Sequence, residues 1–101
     1  MTNPNNVAHG TLTASAVSTV TLNNSGAVEV VNRTGTAEIY FTVGLNGNSP
    51  ATPTIGGNDC YVVPAGVCSY TVEFPAGEGP IVVELISAGA ESFTVVVGAP
   101  T

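Results

Sequence analysis

Lysine is absent from the chain, and Arg33 is its only fixed cation. Against seven acidic residues this leaves a formal net charge of −6. Nucleic acid is excluded as a partner on this ground, because neutralising phosphates takes clustered Lys and Arg. An anionic membrane surface is disfavoured for the same reason. Tryptophan is absent too, and tyrosine occurs only three times. That scarcity of aromatic planes counts against a sugar-binding module. The single histidine, His9, has no base or nucleophile partner near it in sequence. His9, Asp59, Cys60 and Cys68 form no known metal-ligand spacing, so no metal or other cofactor is expected. A nucleophile elbow, a Walker loop and a dinucleotide fingerprint are all missing, and catalysis is not expected. No apolar run approaches the roughly 18 residues of a membrane helix. The beginning, MTNPNNVAHG, lacks both a basic stretch and an apolar core, so no signal peptide is expected. Thr2 rules out myristoylation. Synthesis in a cytoplasm is the resulting expectation.

What the chain does contain is alternation. In residues 28–43, VEVVNRTGTAEIYFTV, Ile39, Phe41 and Val43 alternate with Tyr40 and Thr42, the period-2 pattern of a strand with one buried face. Val28, Val30 and Val31 form a preceding arm, and the turn-favouring Asn32-Arg33-Thr34-Gly35 lies between the two. The spacing predicts a β-hairpin here. Residues 11–22, TLTASAVSTVTL, hold one parity for a span of about 40 Å, too long for a strand in a small domain. This stretch either bends near Ala14 to Val17 or lends its first half to a neighbouring subunit. Further strands are predicted at 59–63, 67–74, 81–86 and 92–97, separated by Gly- and Pro-rich turns.

No uninterrupted window has helical apolar spacing. The expected fold is all-β: a single-domain antiparallel β-sandwich of seven or eight short strands, Ig-like or jelly-roll-like, with a small β-barrel as the alternative. Residues 1–10 are expected to be a flexible arm and 11–101 the sandwich. The predicted core is Val20, Leu22, Val30, Ile39, Phe41, Val43, Val62, Tyr70, Val72, Phe74, Ile81, Val83, Leu85, Phe93 and Val95. Residues 44–58 are the longest irregular segment, either a connection between sheets or a binding loop.

Cys60 and Cys68 flank the turn at Pro64-Ala65-Gly66. If that turn closes a hairpin, they face each other and a disulfide is geometrically conceivable. Cytoplasmic synthesis favours free thiols instead. The Asn-x-Ser/Thr patterns at Asn23 and Asn32 are read as accidental without a secretory signal.

Charged residues make up only 8% of the chain. A monomeric domain normally stays soluble through mixed surface charge, so large neutral areas suggest an oligomer or a protein seated on a larger surface. Candidate interface positions are Val82, Ile86 and Val96, which are apolar on the outward side of their strands. The polar arm adds Asn3, Pro4, Asn5, Asn6, Val7 and Leu12.

VEVVNRTGTAEIYFTV, GGNDCYVVPAG and VVELISAGAESFTVVV together resemble small head proteins of tailed bacteriophages, particularly those of actinobacterial hosts. The shared elements are a Val28-x-Val30-x-Asn32 turn, the strand Ile39-Tyr40-Phe41-Thr42-Val43, the Pro64-Ala65-Gly66 turn and the closing Leu85-Ile86-Ser87-x-Gly89. The resemblance covers about residues 11–97. It implies a capsid decoration protein on the outer surface of the virion, bound to the major capsid protein and reinforcing the assembled head. Closed symmetry would favour a trimer, with residues 1–16 adding to the shell or to a neighbour as a strand. A phage tail or fibre domain, or a receptor- or glycan-binding sandwich, is the alternative.

Overall fold

The computed structural model describes residues 7–23, 26–75 and 79–98. Eight strands follow one another: β1 (Val7–Thr11), β2 (Ser18–Leu22), β3 (Ala27–Asn32), β4 (Ile39–Gly44), β5 (Tyr61–Val63), β6 (Cys68–Glu73), β7 (Ile81–Ser87) and β8 (Ser92–Val97). They form two four-stranded antiparallel sheets, in the order β1-β8-β3-β6 and β2-β7-β4-β5. Every pairing is antiparallel. The pairs nest: β1 with β8, β2 with β7, β3 with β6 and β4 with β5. That is the wrapping of a jelly roll.

The nesting overturns the predicted hairpin. β3 and β4 lie in different sheets, and residues 33–38 are long enough to cross between them. Asn32 ends β3 pointing inward and is fully buried. Its amide donates to the Ala37 carbonyl at 2.8 Å, and its carbonyl oxygen accepts the Gly35 N–H at 2.9 Å. A side chain thus satisfies the backbone of the crossing, as a buried turn requires. The cysteine hairpin is overturned likewise: β5 and β6 belong to opposite sheets, so their residues do not oppose each other in a ladder.

The long stretch at 11–22 does bend. β1 and β2 sit in different sheets, joined through residues 12–17, where Ser15 takes a φ of 62°. Leu12 leaves the strand and fills the core. The expected arm is shorter than 1–10, because Val7 to Thr11 pair with Val96 to Ser92 of the same chain. These residues are therefore not a strand held in reserve for a neighbour.

The core comprises Leu12, Leu22, Val28, Val30, Ile39, Phe41, Val63, Ile81, Val83, Leu85, Phe93, Val95 and Val97. Val20, Val43, Val72 and Phe74 pack against it from partly buried positions. Two predicted core residues differ. Register places Val63 opposite Ile39 and Tyr61 opposite Phe41, so Val63, not Val62, faces inward. Tyr70 has inward parity but lies on the edge strand β6 and stays 42% exposed.

Candidate functional site

The two outer faces of the sandwich differ. On the outer face of the β2-β7-β4-β5 sheet, Val82 is 7% and Ile86 9% exposed. The segment after β4 folds back over them. A Cβ added at Gly44, which lies opposite Val82, would overlap the Asn48 carbonyl oxygen. Thr42 Oγ1, one outward position along, donates to the Ala51 carbonyl at 2.6 Å. Val82 and Ile86 are thus covered by this chain's own 45–60 connection and offer no surface to a partner. Leu12 is removed from the expected interface for the same reason, being buried in the core. Asn3, Pro4, Asn5 and Asn6 lie outside the described residues.

The outer face of the β1-β8-β3-β6 sheet is different. Val96 lies opposite Val7 on one side and Glu29 on the other. Val31 lies between Thr94 and Ser69. Thr71 and Glu73 continue the face on β6. His9 pairs with Thr94, and its Nδ1 lies 2.8 Å from Thr94 Oγ1. Val7 is exposed and Val31 and Val96 are half-buried. The result is a largely uncharged sheet face of Val, Thr and Ser that carries Glu29 and Glu73.

A second feature lies where β5 begins. β4 has six residues and β5 only three, and their ladder stops at Phe41 opposite Tyr61. Had pairing continued, Cys60, Asp59 and Asn58 would oppose Thr42, Val43 and Gly44. Instead the chain bows away and leaves a depression of about 430 Å³, lined by Thr42, Val43, Pro50, Ala51, Asn58, Asp59, Cys60 and Tyr61. Beside it three aromatic rings cluster. Tyr61 lies 5.3 Å from buried Phe41 and 5.9 Å from Tyr70, centroid to centroid, and Phe41 meets Tyr70 edge-on at 6.3 Å. Such tilted and edge-on contacts suit the ring quadrupoles.

Both thiols are free. Cys60 Sγ accepts the Thr54 N–H at 3.4 Å, and Cys68 Sγ donates to the Pro64 carbonyl at 3.2 Å. Among the described residues, no three His, Cys, Asp or Glu side chains are grouped to hold a metal, and no helix is long and apolar enough to cross a membrane. The sequon at Asn32 is closed to modification, since its amide is buried and bonded in the crossing.

The aromatic edge was not legible in the sequence. Tyr61 and Tyr70 are nine positions apart on strands of opposite sheets, and only the nesting brings them together. No family model, curated protein or solved structure matches the chain.

Proposed function

We propose that this chain is a structural virion protein, a capsid decoration protein that binds the outside of an assembled phage head and reinforces it. The observation that carries the reading is the outer face of the β1-β8-β3-β6 sheet, where Val, Thr and Ser predominate and Glu29 and Glu73 are the acids. One side of the sandwich is closed by the chain's own 45–60 connection; the other presents Val7, Val31 and Val96 among Thr and Ser. A flat face of this kind gains affinity by excluding water and summing many weak contacts over the copies of a shell. The rigid sandwich beneath it supplies a scaffold that loses little conformational freedom on docking. The resemblance of the Val28–Val43, Gly56–Gly66 and Val82–Val97 stretches to phage head proteins points the same way. The partner is the major capsid protein, and three copies around a local threefold axis are the natural closed arrangement.

The test is co-sedimentation of the purified protein with assembled phage heads and with unexpanded ones. Binding to the first and not the second is expected. Val31→Glu, which places a carboxylate on the half-buried centre of the face, should abolish sedimentation with heads while leaving the circular-dichroism spectrum β-type. Absence of binding to assembled heads, or binding unchanged by Val31→Glu in a folded variant, would overturn the reading.

A further inference from the structure

The geometry points to a small-ligand site at the depression beside Tyr61, with an uncharged saccharide unit as its ligand. This stands apart from docking to a shell, which uses the opposite sheet. Three observations converge on it. The first is shape. The depression measures about 430 Å³, within the range of ligand pockets, which runs from about 300 to 1,000 Å³. It exists because residues 58–60 bow away from β4, so the β5 ladder no longer covers the outer edge of Thr42 to Gly44.

The second is an aromatic ring in the wall: Tyr61 lines the depression, with Phe41 and Tyr70 packed against it from outside the lining. Tyr61 and Tyr70 are 37% and 42% exposed although their strand parity points inward. Their rings are backed by buried Phe41, which holds Tyr61 in place. A pyranose ring presents an apolar C–H face suited to such a surface, with hydroxyls around its rim.

The third is the polar lining. Asp59 and Asn58 stand at the mouth of the depression. A carboxylate accepts two sugar hydroxyls at once, and an amide both donates and accepts. The lining contains no Lys, Arg or His, and the whole chain carries a net charge of −6. Phosphorylated, sulfated and sialylated ligands are therefore disfavoured. A Pro-rich peptide would also suit exposed tyrosines, but a depression of about 430 Å³ holds a compact ring more readily than an extended chain.

The experiment is amide chemical-shift mapping of the labelled protein during titration with galactose, glucose, N-acetylglucosamine and their disaccharides. Sialic acid and a proline decapeptide serve as contrasting probes. At least one neutral sugar should bind saturably with a Kd on the order of 1 mM. Its shifts should fall on residues 42–43, 50–51 and 58–61. Tyr61→Ala should weaken binding about tenfold. Because Tyr61 also packs on Phe41, the exposed Asp59→Ala is the second variant, and it too should weaken binding while the melting curve stays unchanged. Tyr61→Phe should keep affinity within about twofold. No saturable shift with any neutral sugar would overturn the assignment. So would shifts elsewhere, binding indifferent to both Asp59→Ala and a folded Tyr61→Ala, or preferential binding of the decapeptide.

Discussion

Glu91 Oε1 accepts the backbone N–H of Thr36 at 2.9 Å, a contact that ties the turn before β8 to the crossing between β3 and β4. Glu91 is 2% exposed, so this carboxylate acts inside the protein as a backbone acceptor. The surrounding bonds run the same way. Ser92 N–H reaches Thr34 Oγ1 at 2.9 Å, Arg33 N–H reaches the Ser92 carbonyl at 2.8 Å, and Leu12 N–H reaches the Glu91 carbonyl at 2.8 Å. Removing the carboxylate takes away the charged acceptor of the Thr36 N–H. Glu91→Ala should cost about 1–3 kcal/mol for that donor alone, with a further loss from the cavity. Glu91→Gln keeps an acceptor oxygen and should cost less than Glu91→Ala. Urea unfolding of both variants at neutral pH checks the order; equal losses would mean that the acceptor is not what stabilises the turn.

Gly35 should tolerate no side chain. Its φ is +78°, and an added Cβ would lie 2.6 Å from the Gly66 carbonyl carbon and 2.8 Å from Val67 N. Both atoms are backbone, so relief needs the β5–β6 connection to move. That movement would also strain the bond from Gly66 N–H to the Gly35 carbonyl at 2.8 Å. Gly35→Ala should destabilise by at least about 1–3 kcal/mol. Gly47→Ala serves as the control: its φ is +73° with nothing within 4 Å of the added carbon, so it carries the conformational cost without the clash. Thermal melts of the two variants separate these contributions.

Tyr40 supplies a pH signature. Its hydroxyl donates to Glu38 Oε1 at 2.6 Å. That bond, followed by desolvation and the Glu38 charge, holds the phenol above its ordinary range, while a hydrogen bond with the Gly56 backbone acts in the opposite direction. The folded protein therefore keeps the phenol neutral at a pH where the unfolded chain already ionises it. The associated stability is complete below the unfolded value and is lost as pH rises through the folded one. Phenolate absorbance should show Tyr40, identified by its disappearance in Tyr40→Phe, moving to lower pH in Glu38→Ala. An unchanged midpoint would assign the shift to another cause.

The cysteines should react as two separate thiols. Cys60 bonds with Thr54 on the edge of the depression, and Cys68 with Pro64 at the start of β6. Non-reducing mass analysis after alkylation of the unfolded protein should find two modified sites. Replacing both with Ala should cost less than the roughly 2–5 kcal/mol typical of losing a structural disulfide. A single intramolecular bridge in freshly purified protein would contradict this.

Much of the strand inventory could be read from alternation, because a two-residue period survives wherever one face is buried. Ile39, Phe41, Val83, Leu85, Phe93 and Val95 were legible on that basis. Connectivity was not. Asn32-Arg33-Thr34-Gly35 reads as a hairpin turn because local turn chemistry is the same whether the chain folds back beside itself or crosses to the opposite sheet. What decides is the partner of the next strand, and β4 finds the distant β7, with Ile39 opposite Ser87 and Gly44 opposite Val82. Val62 was placed inside through a parity slip in a strand only three residues long, too short to fix its own phase. Val82 and Ile86 signalled correctly that β7 is apolar on both sides. The sequence did not show that a loop of the same chain, and not another molecule, covers the second side. Tyr70 reads as core by its parity, because nothing local marks an edge where two inward-facing rings, Tyr61 and Tyr70, remain exposed.

The pairing of β1 with β8 has a practical consequence. Val7 lies opposite Val96, so the start of β1 and the end of β8 meet at one corner of the sandwich. Two probes attached at Val7 and Val96 would therefore sit side by side and report whether that corner stays closed.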